Sequence, residues 1–147
     1  MTVELAPASD RAAVEACIAL RVAVFVDEQG IPREEEVDAY DGPREESIHA
    51  LVREPDGMLA GTGRLVPDDP VTARIGRMAV AHSARGRGVG RAILDALVAE
   101  ARRRGYQEAV LNAQVSAVAF YERAGFRTRG SQYDDCGIPH ITMTMTL

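Results

Sequence analysis

The segment Arg85-Gly86-Arg87-Gly88-Val89-Gly90 constrains this chain more than any other, because three glycines in six residues separate an apolar run from a long amphipathic stretch. Upstream, residues 75–80 read as a strand. Downstream, Ile93, Leu94, Leu97, Val98 and Ala101 recur at helical spacing, Arg91/Asp95 and Glu100/Arg104 stand at i,i+4, and Gly105 ends the pattern. Glycine lets the chain turn tightly and bring several amide N–H groups onto one point, and the helix behind adds the positive end of its dipole. A strand, such a turn and a helix make a pyrophosphate site, flanked here by Arg85, Arg87 and Arg91. Two common nucleotide loops are excluded. A P-loop needs Gly-Lys-Ser/Thr, and all 17 basic residues of this chain are arginine. A dinucleotide fingerprint, Gly-x-Gly-x-x-Gly, ends on Arg91 when begun at Gly86 and does not complete from Gly88.

The flanking pattern supplies the rest of one domain. Residues 2–5 read as a short strand. Ser9 is the expected N-cap of a helix, and Val14, Cys17, Ile18, Val22 and Phe25 give that helix an apolar stripe. Gly30-Ile31-Pro32 breaks it, and residues 33–42 read as irregular or one short helix. Residues 47–53, 58–66 and 75–80 form three strands joined by turns at 54–57 and 67–70. A strand at 108–112, a short helix at 116–124 closed by Gly125, and strands at 126–133 and 140–147 follow. The last alternates Ile141, Met143, Met145 and Leu147 against threonines. The order β-α-β-β-β-α-β-α-β-β predicts an α+β chain with one sheet and a few helices. The length of 147 residues suits one domain with its own core, and 46% hydrophobic residues excludes disorder. No apolar run nears the ~18 residues of a membrane span. The first ten residues carry neither a basic start nor an apolar core, and Cys17 and Cys136 make no disulfide framework, so a cytoplasmic location is expected.

Charge is segregated. Residues 1–69 hold 16 acids against 6 arginines, residues 70–129 hold 4 against 11, and the net charge is −5. An acidic protein with a basic half is a poor general nucleic-acid binder but suits a local site for a small polyanion. Residues 27–46 are densest, with nine acids against two arginines: a solvated surface, or a funnel for a cationic substrate. Other chemistries lack their residues. His49, His82 and His140 have no metal-ligand spacing, so no metal is expected, and no Gly-x-Ser-x-Gly occurs. Asp134 and Asp135 disfavour a thiolate at Cys136, which is read as a bystander.

Arg85, Gly88 and Gly90 match Arg/Gln-x-x-Gly-x-Gly/Ala, the turn of the GNAT superfamily of acyl-CoA N-acyltransferases, which this chain resembles. Met78-Ala79-Val80 looks like that family's strand lead-in, although His82 stands where it often has proline. Ala117-Val118-Ala119-Phe120-Tyr121-Glu122-Arg123-Ala124-Gly125-Phe126 resembles its Ala-x-x-x-Tyr-x-x-x-Gly-Phe block, with Gln114 replacing a frequent asparagine. Val24-Phe25-Val26-Asp27-Glu28-Gln29-Gly30-Ile31-Pro32, Glu34 to Glu36 and Gly137-Ile138-Pro139-His140 look like the ElaA-like subgroup. The resemblance implies a single N-acetyltransferase domain over 1–147, with a mixed, largely antiparallel sheet of six to seven strands and about four helices. It implies acetyl-CoA as co-substrate, with Met78, Ala79 and Val80 pairing with the pantetheine arm. Arg85, Gly86, Arg87, Gly88, Val89, Gly90 and Arg91 would hold the pyrophosphate, and Gln114 would border the site. Tyr121 would protonate the departing thiolate, since a phenol near pKa ~10 can serve a thiolate near ~8.5 without itself being ionised. A base is also needed, from Glu28, His49 or His140, with Glu34, Glu35, Glu36 and Asp135 as further candidates. The expected acceptor is a primary amine of a small molecule or peptide, attacking directly in a ternary complex, in a monomer or homodimer with no nucleic acid or membrane partner. The competing reading is a catalytically weak acyl-CoA sensor or interaction module, against which Tyr121 and the intact turn argue.

Overall fold

The computed structural model describes residues 1–147. Seven strands form one sheet: β1 (Glu4–Pro7), β2 (Ile48–Arg53), β3 (Leu59–Pro67), β4 (Thr72–Val80), β5 (Glu108–Gln114), β6 (Arg127–Asp135) and β7 (Ile138–Thr146). Their order is β1-β2-β3-β4-β5-β7-β6, antiparallel except where β4 runs parallel to β5. Helices α1 (Arg11–Arg21), α2 (Arg33–Glu36), α3 (Val89–Arg103) and α4 (Val118–Arg123) flank it. This is the mixed, mostly antiparallel sheet with four helices that the family resemblance implies. No helix is long and apolar enough to cross a membrane.

Local chemistry explains most boundaries and corrects a few. Asp10, not Ser9, caps α1: its carboxylate accepts from the Ala13 amide at 3.2 Å, while Ser9 lies in the preceding turn. The apolar stripe from Val14 to Phe25 is not one α-helix. Residues Val22–Glu28 continue α1 as a π-helix, which turns Val24 and Phe25 inward and leaves Glu28 exposed at the cleft. Glu100, expected to pair with Arg104, makes its closer ion pair with Arg103. Against the sheet, α3 buries Ile93, Leu94, Leu97 and Ala101. It lies close because β3 presents glycines: a Cβ on Gly63 would stand 2.7 Å from Ile93 Cγ2 and 2.9 Å from Met78 Sδ.

The feature that shapes the site is the parting of β4 from β5. They pair only from Thr72↔Glu108 to Arg74↔Val110. β5 then stays with β7, from Leu111↔Met143 to Gln114↔His140, while β4 keeps to β3. On the β3 side the register jumps between Arg64↔Gly76 and Thr62↔Ala79, so β4 carries one extra residue. Arg77 sits in that bulge with φ +52°, a left-handed conformation that residues with a Cβ seldom adopt. The inserted residue bends β4, and the sheet opens between 75–80 and 111–114.

Candidate active site

A cleft of about 440 Å³ fills this opening. Ile75, Met78, Ala79 and Val80 form one wall and Leu111, Asn112 and Gln114 the other. The π-helix adds Val24, Phe25 and Glu28, α2 adds Glu35 and Glu36, α4 adds Tyr121, and the β6–β7 hairpin adds Asp135, Cys136 and His140. Ile75, Leu111 and Val24 are 1%, 2% and 5% exposed, so the inner end is narrow and apolar while charge gathers at the mouth. Beyond Arg74, β4 has no ladder partner on its β5 side, which leaves backbone groups of 76–80 facing the cleft.

The glycine turn stands at the same end of β4. Gly86 and Gly88 have φ +81° and +80°, which glycine adopts freely and residues with a Cβ seldom do. Gly88 is the N-cap of α3 and no side chain caps the helix, so its first amides are left for an anion. The three arginines are ion-paired with neighbours. Arg85 donates through Nη2 to Glu28 Oε1 at 2.8 Å and through Nε to the Val80 carbonyl at 3.2 Å. Arg87 bonds Glu54 at 2.6 Å and Arg91 bonds Asp95 at 2.9 Å. Gln114 donates to Gln29 Oε1 at 2.8 Å, linking the end of β5 to the residue after the π-helix.

Tyr121 packs edge-on between Phe120 and Phe126, at centroid distances of 5.0 and 6.1 Å. Its hydroxyl makes no protein hydrogen bond, and burial pushes its pKa up to about 12, so it stays protonated at any working pH. His140 Nδ1 lies 2.8 Å from the Ile138 carbonyl oxygen. A carbonyl only accepts, so Nδ1 carries a hydrogen, and in the neutral ring the lone pair is on Nε2. The ring stacks on Tyr133 at 5.9 Å, which fixes its plane.

His49 is not part of this site. It lies on β2 between β1 and β3, is 0% exposed, and neither ring nitrogen has a hydrogen-bond partner. Burial pulls its pKa down to about 4, so it is a neutral core residue rather than a base within reach of substrate. Of the nine acids in the run 27–46, Glu36 and Asp41 are buried and Asp38 half-buried, while the other six are exposed. Arg21, 1% exposed, bonds Glu36 Oε1 at 2.7 Å and Asp41 Oδ1 at 2.8 Å, and Arg64 grips both oxygens of Asp38 at 2.7 and 2.9 Å. Burial alone would raise the Asp38 and Asp41 carboxyls, but these guanidiniums outweigh it and hold both below the ordinary carboxylate range. Of the acids proposed for substrate approach, Glu35 lines the cleft without an ion pair, Glu28 is paired with Arg85, and Glu36 is sequestered by Arg21. Cys136, at φ +52°, and Gly137, at +78°, form the two-residue hairpin turn. Desolvation, then the hydrogen bond and charge of Asp135, raise the Cys136 thiol, which disfavours a nucleophilic thiolate.

Sequence reasoning missed Arg77, Phe25 and Asn112, all of which line the cleft. One signal was present for the first: Arg74 and Arg77 stand three apart and break the period-2 alternation of a strand, as a bulge requires. Nothing local marks Phe25, which the π-helix turns inward.

The family model described as an acetyltransferase (GNAT) domain matches residues 19–147. An uncharacterised N-acetyltransferase of Bacillus subtilis (strain 168), YjcF, is 38% identical over 125 residues, covering 84% of this chain and 86% of the relative. The crystal structure of Escherichia coli ElaA superposes with TM-score 0.87 at 28% identity, over 98% of each chain. That of an acyl-CoA N-acyltransferase from Pseudomonas aeruginosa does so with TM-score 0.87 at 29% identity, also over 98% of each.

Proposed function

This chain belongs to the GNAT acetyltransferase family, as an ElaA-like acyl-CoA N-acyltransferase, and from that premise we propose that it transfers an acetyl group from acetyl-CoA to a primary amine of a small molecule. The observation that carries the reading is Tyr121: a protonated hydroxyl without a protein partner, opening into the cleft bordered by the unpaired edge of β4. The pantetheine arm lies along residues 76–80 as an added strand, and the amides of residues 86–91 hold the pyrophosphate.

His140 Nε2 takes a proton from the incoming ammonium, directly or through water, because its Nδ1 is committed to Ile138. The amine lone pair then attacks the thioester carbonyl carbon, the C–S bond breaks, Tyr121 gives its proton to the thiolate sulfur, and the acylated nitrogen loses its second proton, through water, to restore the Tyr121 hydroxyl. Glu35 and Asp135, both at the cleft without an ion pair, favour approach of a cationic amine. The test is thiol release from acetyl-CoA across a panel of amines, with Tyr121→Phe as control. Turnover that falls in the variant supports the reading, and acetyl-CoA binding without thiol release on any amine sinks it in favour of a sensor.

A further inference from the structure

Nothing local favours the left-handed backbone at Arg77: arginine lacks glycine's freedom, and its side chain cannot bond its own backbone as Asn or Asp does. Arg77 has instead a tether. Its Nη2 donates to Asp38 Oδ2 at 3.2 Å and its Nε to the Glu36 carbonyl at 3.3 Å. Neither acceptor is free to move. Asp38 is held by both terminal nitrogens of Arg64, the Glu36 carboxylate is held by Arg21, and Asp41 bonds both of those arginines. Three carboxylates and three guanidiniums thus balance in charge, and Arg21, Glu36 and Asp41 are at most 3% exposed. The cluster joins α1, the segment 36–41, β3 and the bulge of β4. It is a clamp beside the cleft, with Glu36 and Arg77 forming part of the cleft wall.

We propose that this cluster holds Arg77 in its left-handed conformation and so keeps the 76–80 edge of β4 turned away from β5, making Asp38 a positioning residue for acyl-CoA. The inference rests on the acyltransferase reading above. Asp38 is not among the residues lining the cleft; it acts through Arg77.

The test uses glycine, which adopts the left-handed region without a tether. CoA affinity is measured by calorimetry for the wild type, Asp38→Ala, Arg77→Ala, Arg77→Gly and the Asp38→Ala/Arg77→Gly double variant, with thermal melts alongside. Asp38→Ala and Arg77→Ala are each expected to weaken CoA about tenfold, the size of a lost left-handed preference. Arg77→Gly is expected to bind CoA more tightly than Arg77→Ala, and Asp38→Ala to cost less than about twofold on top of Arg77→Gly. A purely stabilising cluster gives the opposite result: Asp38→Ala lowers Tm and changes CoA affinity by the same factor in both backgrounds. That outcome overturns the proposal, as does equal CoA affinity of Arg77→Gly and Arg77→Ala. The last comparison stands alone if Asp38→Ala does not fold. A wild type that binds no CoA overturns the acyltransferase reading itself and takes the inference with it.

Discussion

Arg85 Nη2 donates to Glu28 Oε1 at 2.8 Å, tying the glycine turn to the end of the π-helix across the mouth of the cleft. With side chains 43% and 36% exposed, such a pair contributes about 1 kcal/mol or less. Glu28→Ala is therefore expected to lower Tm by less than about 4 °C. It removes a negative charge beside a polyanion site, so KM for acetyl-CoA should fall about two- to fivefold at low salt, and the gain should shrink at 0.5 M salt. With His140 as base, kcat should change less than about threefold in Glu28→Ala and fall about 10²-fold or more in His140→Ala. Steady-state kinetics on the two variants decide it, and the reverse pattern would make Glu28 the base.

Tyr121→Phe should cut kcat about 10²-fold if the hydroxyl is the general acid. Tm should hold or rise, because the variant removes a half-buried hydroxyl that has no protein partner. Since the phenol titrates near 12, any alkaline limb of kcat below pH 10 belongs to another group and should persist in the variant. An unchanged kcat removes Tyr121 from the role.

His49 makes stability depend on pH. The folded ring titrates near 4 and the unfolded ring near its ordinary 6.5, so between those values the unfolded state binds the extra proton. Stability is full above about pH 6.5 and falls as pH drops, by roughly 3 kcal/mol at pH 4. His49→Leu should flatten that slope and leave kcat at pH 7.5 within about twofold, since His49 lies outside the cleft. Urea midpoints at pH 7 and 4.5 measure the difference, and equal slopes in the two proteins would show that another group carries it.

Gly63→Ala should cost about 1–3 kcal/mol, because the new Cβ meets Ile93 at 2.7 Å, Met78 at 2.9 Å and Leu97 at 3.0 Å. Two of these neighbours belong to α3, so the helix must shift from the sheet. A Tm drop of several degrees is expected, with a rise in KM for acetyl-CoA as the turn at the head of α3 moves. An unchanged Tm would mean that Ile93 and Met78 give way freely.

What was legible from the residues was local. Gly86, Gly88 and the stripe from Ile93 to Ala101 announce a turn and a helix because glycine torsions and a 3.6 period act within a few residues. The alternation of Ile141, Met143 and Met145 announces β7 for the same reason. Ser9 and Asp10 are equally good caps by type, and only the backbone path that brings Asp10 to the Ala13 amide chooses between them. The histidines were illegible: His49 and His140 look alike in sequence, yet the sheet buries one without partners and places the other at the cleft.

The sequence by itself determined the family, the order of elements, the glycine turn ahead of α3 and the place of Tyr121 on α4, all of which depend on short-range patterns. The tertiary structure alone decided that Arg77 forms a bulge, that β4 leaves β5 at Arg74, and that Glu36, Asp38 and Asp41 of the acidic run turn onto arginines. The physical reason is distance along the chain. Asp38 meets Arg77 39 residues away and Arg64 26 away, and a carboxylate carries no mark of whether an arginine that remote will fold onto it or leave it to water.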